Sequence, residues 1–187
     1  GIQSVRQAVA DSLKRRFGLP YEAKHIFMTT GAAGAVAHAV RAVTQPGDVM
    51  LTFAPFFPEY TPYINGAGVE LQVVPANVED FQIQFDAFEA MLSPNVAVLV
   101  NTPNNPSGVV YTTATLKRLA ELLRQKGKEY GHPIYLISDE PYREIQFAGV
   151  DGPYVASMYE NTLTCYSFSK SLSLPGERIG YVAVNPA

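Results

Sequence analysis

Lys170 closes the run Ser167-Phe168-Ser169-Lys170, and Arg178 follows in the next loop. A lysine amine forms a Schiff base with an aldehyde when it is partly neutral and held in place. A strand end followed by a turn would hold it. Four other stretches carry chemically useful groups. Asp139-Glu140-Pro141-Tyr142 offers an acid and a phenol, and Asn101-Thr102-Pro103-Asn104-Asn105-Pro106-Ser107-Gly108 offers amides. Pro55-Phe56-Phe57 offers an aromatic face, and Gly31-Ala32-Ala33 offers a small-residue turn.

These groups are useful together only if the fold gathers them, so the elements between them matter. Short apolar runs at His25–Thr30, Asp48–Phe53, Val69–Pro75, Val96–Asn101, Ile134–Ser138, Thr162–Ser167 and Ile179–Val184 read as strands. Helical spacing appears at Ser4–Phe17 (Val5, Val9, Leu13), Ala32–Val43, Phe85–Leu92 and Thr115–Tyr130 (Leu116, Leu119, Leu122, Leu123). Strands that alternate with helices predict an α/β fold, a three-layer sandwich around a mostly parallel seven-stranded sheet. The connection from Ser169 to Arg178 is too short for a crossover helix, so the last strand is expected to run antiparallel.

Ligands of open α/β sheets sit at the carboxyl ends of the strands. Every stretch singled out above falls at such an end. The set matches the needs of pyridoxal 5'-phosphate (PLP). Lys170 would take the aldehyde. Asp139 would keep the ring nitrogen protonated, so that the ring draws electrons. The backbone N–H groups of Ala32 and Ala33 at a helix start, with Ser167 and Arg178, would bind the phosphate. Phe57 would stack on the ring, and Asn105 with Tyr142 would donate to its phenolic oxygen.

Each residue also has a plainer reading. Lys170 alone would be a surface lysine, and Asp139 or Arg178 a structural partner. Phe57 and Tyr142 could simply pack. Glu140 points to the opposite face from Asp139 on a strand, which gives it a structural role. Arg143 and Glu144 read as solvated or paired. His25, His38 and His132 lack ligand spacing, so no metal is assigned. The single cysteine, Cys165, sits in an apolar run and reads as a buried, inert thiol. Gly31 lacks the three-glycine pattern of dinucleotide folds.

Composition narrows the classes further. The 187 residues are 47% hydrophobic and 17% charged with a formal net charge of −3, which suits one folded core. Nothing is basic enough to track nucleic acid, and no apolar run is long enough to cross a membrane. The absence of a signal-peptide pattern and the lone cysteine fit a reducing cytoplasm.

The motifs resemble those of fold-type-I PLP enzymes, in particular class I/II aminotransferases, over essentially the whole chain. The family's Asn-x-Pro-x-Asn-Pro-Ser/Thr-Gly stands at Asn101–Gly108, its Asp-x-x-Tyr at Asp139–Tyr142, its Ser-x-Ser-Lys at Ser167–Lys170 and its Arg-x-Gly at Arg178–Gly180. The resemblance implies a catalytic set of Lys170, Asp139 and Tyr142. It implies a cofactor shell of Gly31, Ala32, Ala33, Phe57, Asn105, Ser167, Ser169 and Arg178 around them. Two positions depart from the pattern: the phosphate turn lacks its frequent hydroxyl residue, and Phe57 stands where tyrosine or tryptophan is common.

The resemblance further implies transfer of an amino group between an amino acid and a 2-oxo acid, in a homodimeric parent enzyme. The same scaffold also serves lyases, decarboxylases, synthases and PLP-binding regulatory modules. Residues 1–187 are expected to be the PLP-binding large domain, with the N-terminal segment and C-terminal small domain absent. On that reading the isolated chain is inactive, because the arginine that grips the substrate carboxylate lies outside it. The residues do not specify which amino acid is used.

Overall fold

The computed structural model describes residues 1–147, 149–150 and 152–187. Helix α1 spans Gln3–Phe17 and leads through a short turn into strand β1, Ile26–Thr30. Helix α2 (Gly31–Val43), β2 (Val49–Phe53), α3 (Tyr60–Asn65), β3 (Glu70–Val74), α4 (Phe85–Met91) and β4 (Val96–Asn101) follow. The chain continues through α5 (Thr113–Tyr130), β5 (Leu136–Asp139), β6 (Thr162–Ser167), α6 (Phe168–Ser171) and β7 (Ile179–Val184).

The seven strands form one sheet in the order β1-β7-β6-β5-β4-β2-β3. Strands β2 to β6 pair in parallel, and β7 runs antiparallel to both of its neighbours, β1 and β6. The short Ser169–Arg178 connection accounts for that reversal, because a parallel crossover needs a dozen residues or more. All six residues of β4 and of β6 are buried, as strands covered on both faces must be.

Alternation along the strands divides the core. Leu99, Ile137, Cys165 and Val182 pack under α2 and α3. Val98, Val100 and Leu136 pack under α4 and α5, while Tyr166, Tyr181 and Ala183 pack near α1. The result is three layers, with α2 and α3 on one face and α1, α4 and α5 on the other.

Helix α5 is the most regular element. The Thr112 side chain accepts from the Thr115 N–H at 3.1 Å to cap its start, and Gly131 ends it at a φ of 79°. Helix α1 buries less than its periodicity suggests. Only Ala10 and Leu13 are buried, and Val5 stays exposed. Two short helices carry no periodic signal. Helix α3 is six residues long with Pro62 in its first turn, where a missing N–H costs nothing. Helix α6 is four residues long, begins directly after β6 and contains Lys170. Strand β5 begins at Leu136 rather than Ile134 and reaches one residue further, to Asp139.

Just past the end of β5, Glu140 turns to the α1 side and is 1% exposed. It accepts from Ser138 Oγ at 2.7 Å and from Arg143 at 2.8 Å. Arg143 also donates to the Tyr181 hydroxyl at 3.1 Å and lies over the rings of Tyr166 and Tyr154. Removing one member of such a pair leaves a buried charge uncompensated. Arg143→Met is therefore expected to cost about 3–5 kcal/mol in chemical denaturation at neutral pH. The double variant Glu140→Gln/Arg143→Met should recover most of that loss. A single variant that unfolds at the wild-type midpoint would contradict this packing.

Candidate active site

The carboxyl ends of β1, β4, β5 and β6 open on one cavity of about 300 Å³. Ala32, Ala33, Phe57, Asn105, Asp139, Tyr142, Ser167, Ser169, Lys170 and Arg178 all line it. Gly31 does not line the cavity itself but lies beside Arg178, which does. The parts singled out in the sequence therefore come together, including Lys170 and Asp139 on the same side of the sheet.

Asp139 is buried. Its Oδ2 accepts from the Tyr60 hydroxyl at 2.6 Å. Its Oδ1 is buried and has no hydrogen-bond partner among the described residues. Burial pushes the Asp139 carboxyl up to about 7; the Tyr60 hydrogen bond pulls it down and the nearby Glu140 raises it. Burial and Asp139 hold the Tyr60 phenol well above its ordinary range, so it stays a donor. Asp139 lines the cavity, and a buried acceptor with capacity to spare beside a cavity suits a donor that a ligand brings, such as a protonated ring nitrogen.

The asparagine motif works through its first member as well as its second. Asn101 at the end of β4 donates to the Asp139 carbonyl at 2.9 Å and accepts from the Asn105 N–H at 2.7 Å. This clamp turns the loop so that Asn105 faces the cavity, where it adjoins the Tyr142 hydroxyl. The Tyr142 phenol is pushed up by burial and by Asp139, while the Asn105 amide pulls it back. Lys170 Nζ lies 5.7 Å from the centre of the Tyr142 ring.

Hydroxyls, an arginine and the start of α2 gather along another part of the lining, and such groups can receive an anion. Ser167 caps α6, accepting from the Ser169 N–H at 3.1 Å and donating to the Ser169 hydroxyl at 2.9 Å. Gly31 has a φ of 72°, and a Cβ placed there would lie 2.7 Å from the Arg178 guanidinium. The left-handed backbone there favours glycine, and a side chain would push the Arg178 guanidinium aside. Gly180 meets the same constraint from the other side, since its Cβ would fall 2.5 Å from the Tyr166 carbonyl and 2.7 Å from the Gly31 backbone. The Arg-x-Gly spacing thus lets β7 press against the start of α2 and lays Arg178 over the turn.

Phe57 packs edge-on against Tyr60 at 5.7 Å and presents its ring to the cavity. Tyr60 is a site residue that the sequence reading missed. Its signal was slight: it lies three residues beyond Phe57, in a helix too short to show a period. Cys165 lies beneath, fully buried, and burial with Asp139 and Glu140 pushes its thiol well up, which keeps it protonated and inert.

This geometry is shared with known proteins. The family model for aminotransferase class I and II matches residues 1–187. A probable aspartate/prephenate aminotransferase of Thermus aquaticus is 32% identical over 185 residues, which are 97% of this chain and 46% of that protein. An arginine–pyruvate transaminase of Pseudomonas aeruginosa is 32% identical over 191 residues, 100% of this chain and 47% of that protein. A crystal structure of an aminotransferase from Eubacterium rectale superimposes with a TM-score of 0.97 at 49% identity, covering 100% of this chain and 47% of that one. The chain thus spans about half the length of the relatives it matches. With one family model covering every residue, the chain belongs to the class I and II aminotransferase family.

Proposed function

We propose that this chain is the cofactor-binding large domain of a PLP-dependent aminotransferase that moves an amino group between an amino acid and a 2-oxo acid. The observation that carries the reading is the Asp139 carboxylate, buried with one oxygen unpaired, in the same cavity as the Lys170 amine. The relatives' names, aspartate/prephenate aminotransferase and arginine–pyruvate transaminase, support the reaction class. When bound, PLP supplies an aldehyde that links to amines and a ring that draws electrons from the reacting carbon.

The remaining work falls to this chain's own residues. Lys170 would hold the aldehyde end, and its amine would serve as the base that moves the proton at the substrate's Cα. Asp139 keeps a proton on the ring nitrogen, with Tyr60 fixing the carboxylate. Asn105 and Tyr142 donate to the phenolic oxygen, and Phe57 covers the ring. Ser167, Ser169, Arg178 and the N–H groups of Ala32 and Ala33 receive the phosphate, with Gly31 making room for Arg178. The parent is read as a cytoplasmic homodimer; no helix among the described residues is long and apolar enough to cross a membrane.

Two expected outcomes test this. Borohydride reduction of the protein with PLP should leave a stable adduct on the peptide carrying Lys170. An adduct only at another lysine, such as Lys117 or Lys126, would refute the assignment. The second test uses the pH dependence of stability without cofactor. Asp139 rises from 3.8 to about 7 on folding, so its protonated form is the one that the fold favours. Stability is then fully present below pH 4 and is lost as pH rises toward 7, by roughly 4 kcal/mol in total. Asp139→Asn should therefore be the more stable protein at pH 8, and the advantage should vanish near pH 4. Equal pH profiles for the two proteins would contradict the burial of an unpaired carboxylate.

A further inference from the structure

The geometry points to a rear network, Glu140–Arg143–Tyr166–Ser171, that positions Lys170 against Asp139 and Tyr142 from the far side of the sheet. The inference rests on the cofactor site proposed above and adds residues to it that touch neither cofactor nor substrate. It begins with a regularity in the chain. Asp139, Tyr142 and Lys170 line the front cavity, and the residue after each one points backwards. Those successors are Glu140, Arg143 and Ser171, and they belong to one connected set.

The connections are direct. Arg143 is bound to Glu140 at 2.8 Å and is 8% exposed. Its guanidinium carbon lies 4.6 Å from the centre of the Tyr166 ring. The Tyr166 hydroxyl in turn donates to Ser171 Oγ at 2.7 Å. Arg143, Tyr166 and Ser171 line a second cavity behind the sheet, which Phe168 also lines. Helix α6 is thus a partition one turn thick: Ser167, Ser169 and Lys170 face the front cavity, while Phe168 and Ser171 face the rear.

A single turn has little rigidity of its own, since helices of this length are not stable in isolation. Its start is fixed by the Ser167 cap. Its end, where Lys170 sits, is fixed by the Tyr166–Ser171 hydrogen bond, and Arg143 holds Tyr166 in place through its ring. The same guanidinium holds Glu140 and so the end of β5. Beyond the β5–β6 ladder, which ends with the Glu140 N–H donating to the Cys165 carbonyl, one buried cation therefore braces the end of the acid strand against the lysine turn. A flexible lysine needs this support, because its long stem would otherwise sample many positions.

Tyr166→Phe and Ser171→Ala test the inference in the full-length holoenzyme. Each removes one hydrogen-bonding group and leaves the buried ion pair intact. Three readouts are needed: the PLP dissociation constant, the pH midpoint of the bound cofactor's absorbance, and the thermal melt. Each variant is expected to bind PLP about fivefold more weakly, the worth of one neutral hydrogen bond. The pH midpoint should also move from its wild-type value, because the turn that presents Lys170 to the cofactor is held less firmly. The double variant should be no worse than either single one, because both remove the same bond. Arg143→Lys, which keeps the charge but not the planar fork, should shift the midpoint in the same direction.

Unchanged affinity and midpoint in both single variants would overturn the inference, even if their melts fell, since that would make the network structural only. Losses that add in the double variant would also overturn it. A wild-type holoenzyme that takes up PLP normally while the variants match it sinks this inference alone. A wild-type protein that takes up no PLP sinks the functional reading and this inference with it.

Discussion

A carboxylate buried with only half of its hydrogen-bonding capacity met is costly, and Asp139 is such a group. Tyr60 satisfies Oδ2, and no group among the described residues satisfies Oδ1. Unfolded, this carboxyl would ionise in water at its ordinary value; folded, it is held near 7 by burial. A fold that served only its own stability would place an apolar or fully bonded residue there. The arrangement makes sense when a cationic donor arrives at Oδ1, because the same low-dielectric surroundings that penalise the lone charge then strengthen the pair.

Much of the remaining structure serves to keep that acid and the Lys170 amine at one edge. Parallel strands β4, β5 and β6 lie side by side, with Asn101, Asp139 and Cys165 level, and β6 runs two residues further to deliver Ser167 at the same edge. The reversal at β7 returns the chain so that Arg178 lies over Gly31. Strand alternation then separates two chemistries. The front carries groups with capacity to spare, such as Asp139 and Lys170, whereas the rear carries groups that satisfy one another, such as Glu140 and Arg143. Residues adjacent in sequence thus belong to different environments, and the sheet between them is the insulator.

The sequence made the sheet and the motif-bearing loops legible because both rest on local signals. Continuous apolar runs such as Val96–Asn101 mark strands buried on two faces, and the short link to Arg178 already implied the antiparallel strand. Tyr60 and the rear network were not legible in the same way. Tyr60 reaches Asp139 across 79 positions of sequence, from a six-residue helix without a period. Tyr166 and Ser171 read as an apolar strand residue and a loop serine, and only the packing of α6 onto β6 shows that they meet. Val5 erred the other way: its helical spacing predicts burial, and Leu13 on that face is buried, but the structure leaves the Val5 end of α1 exposed.

The central claim is that the unpaired oxygen of Asp139 holds a proton on the ring nitrogen of PLP. The most direct measurement is the nitrogen-15 NMR shift of PLP labelled in its ring and bound to the full-length protein. The account predicts a protonated ring nitrogen at neutral pH in the wild type and an unprotonated one in Asp139→Asn. An unprotonated nitrogen in the wild type, or the same shift in both proteins, would contradict it.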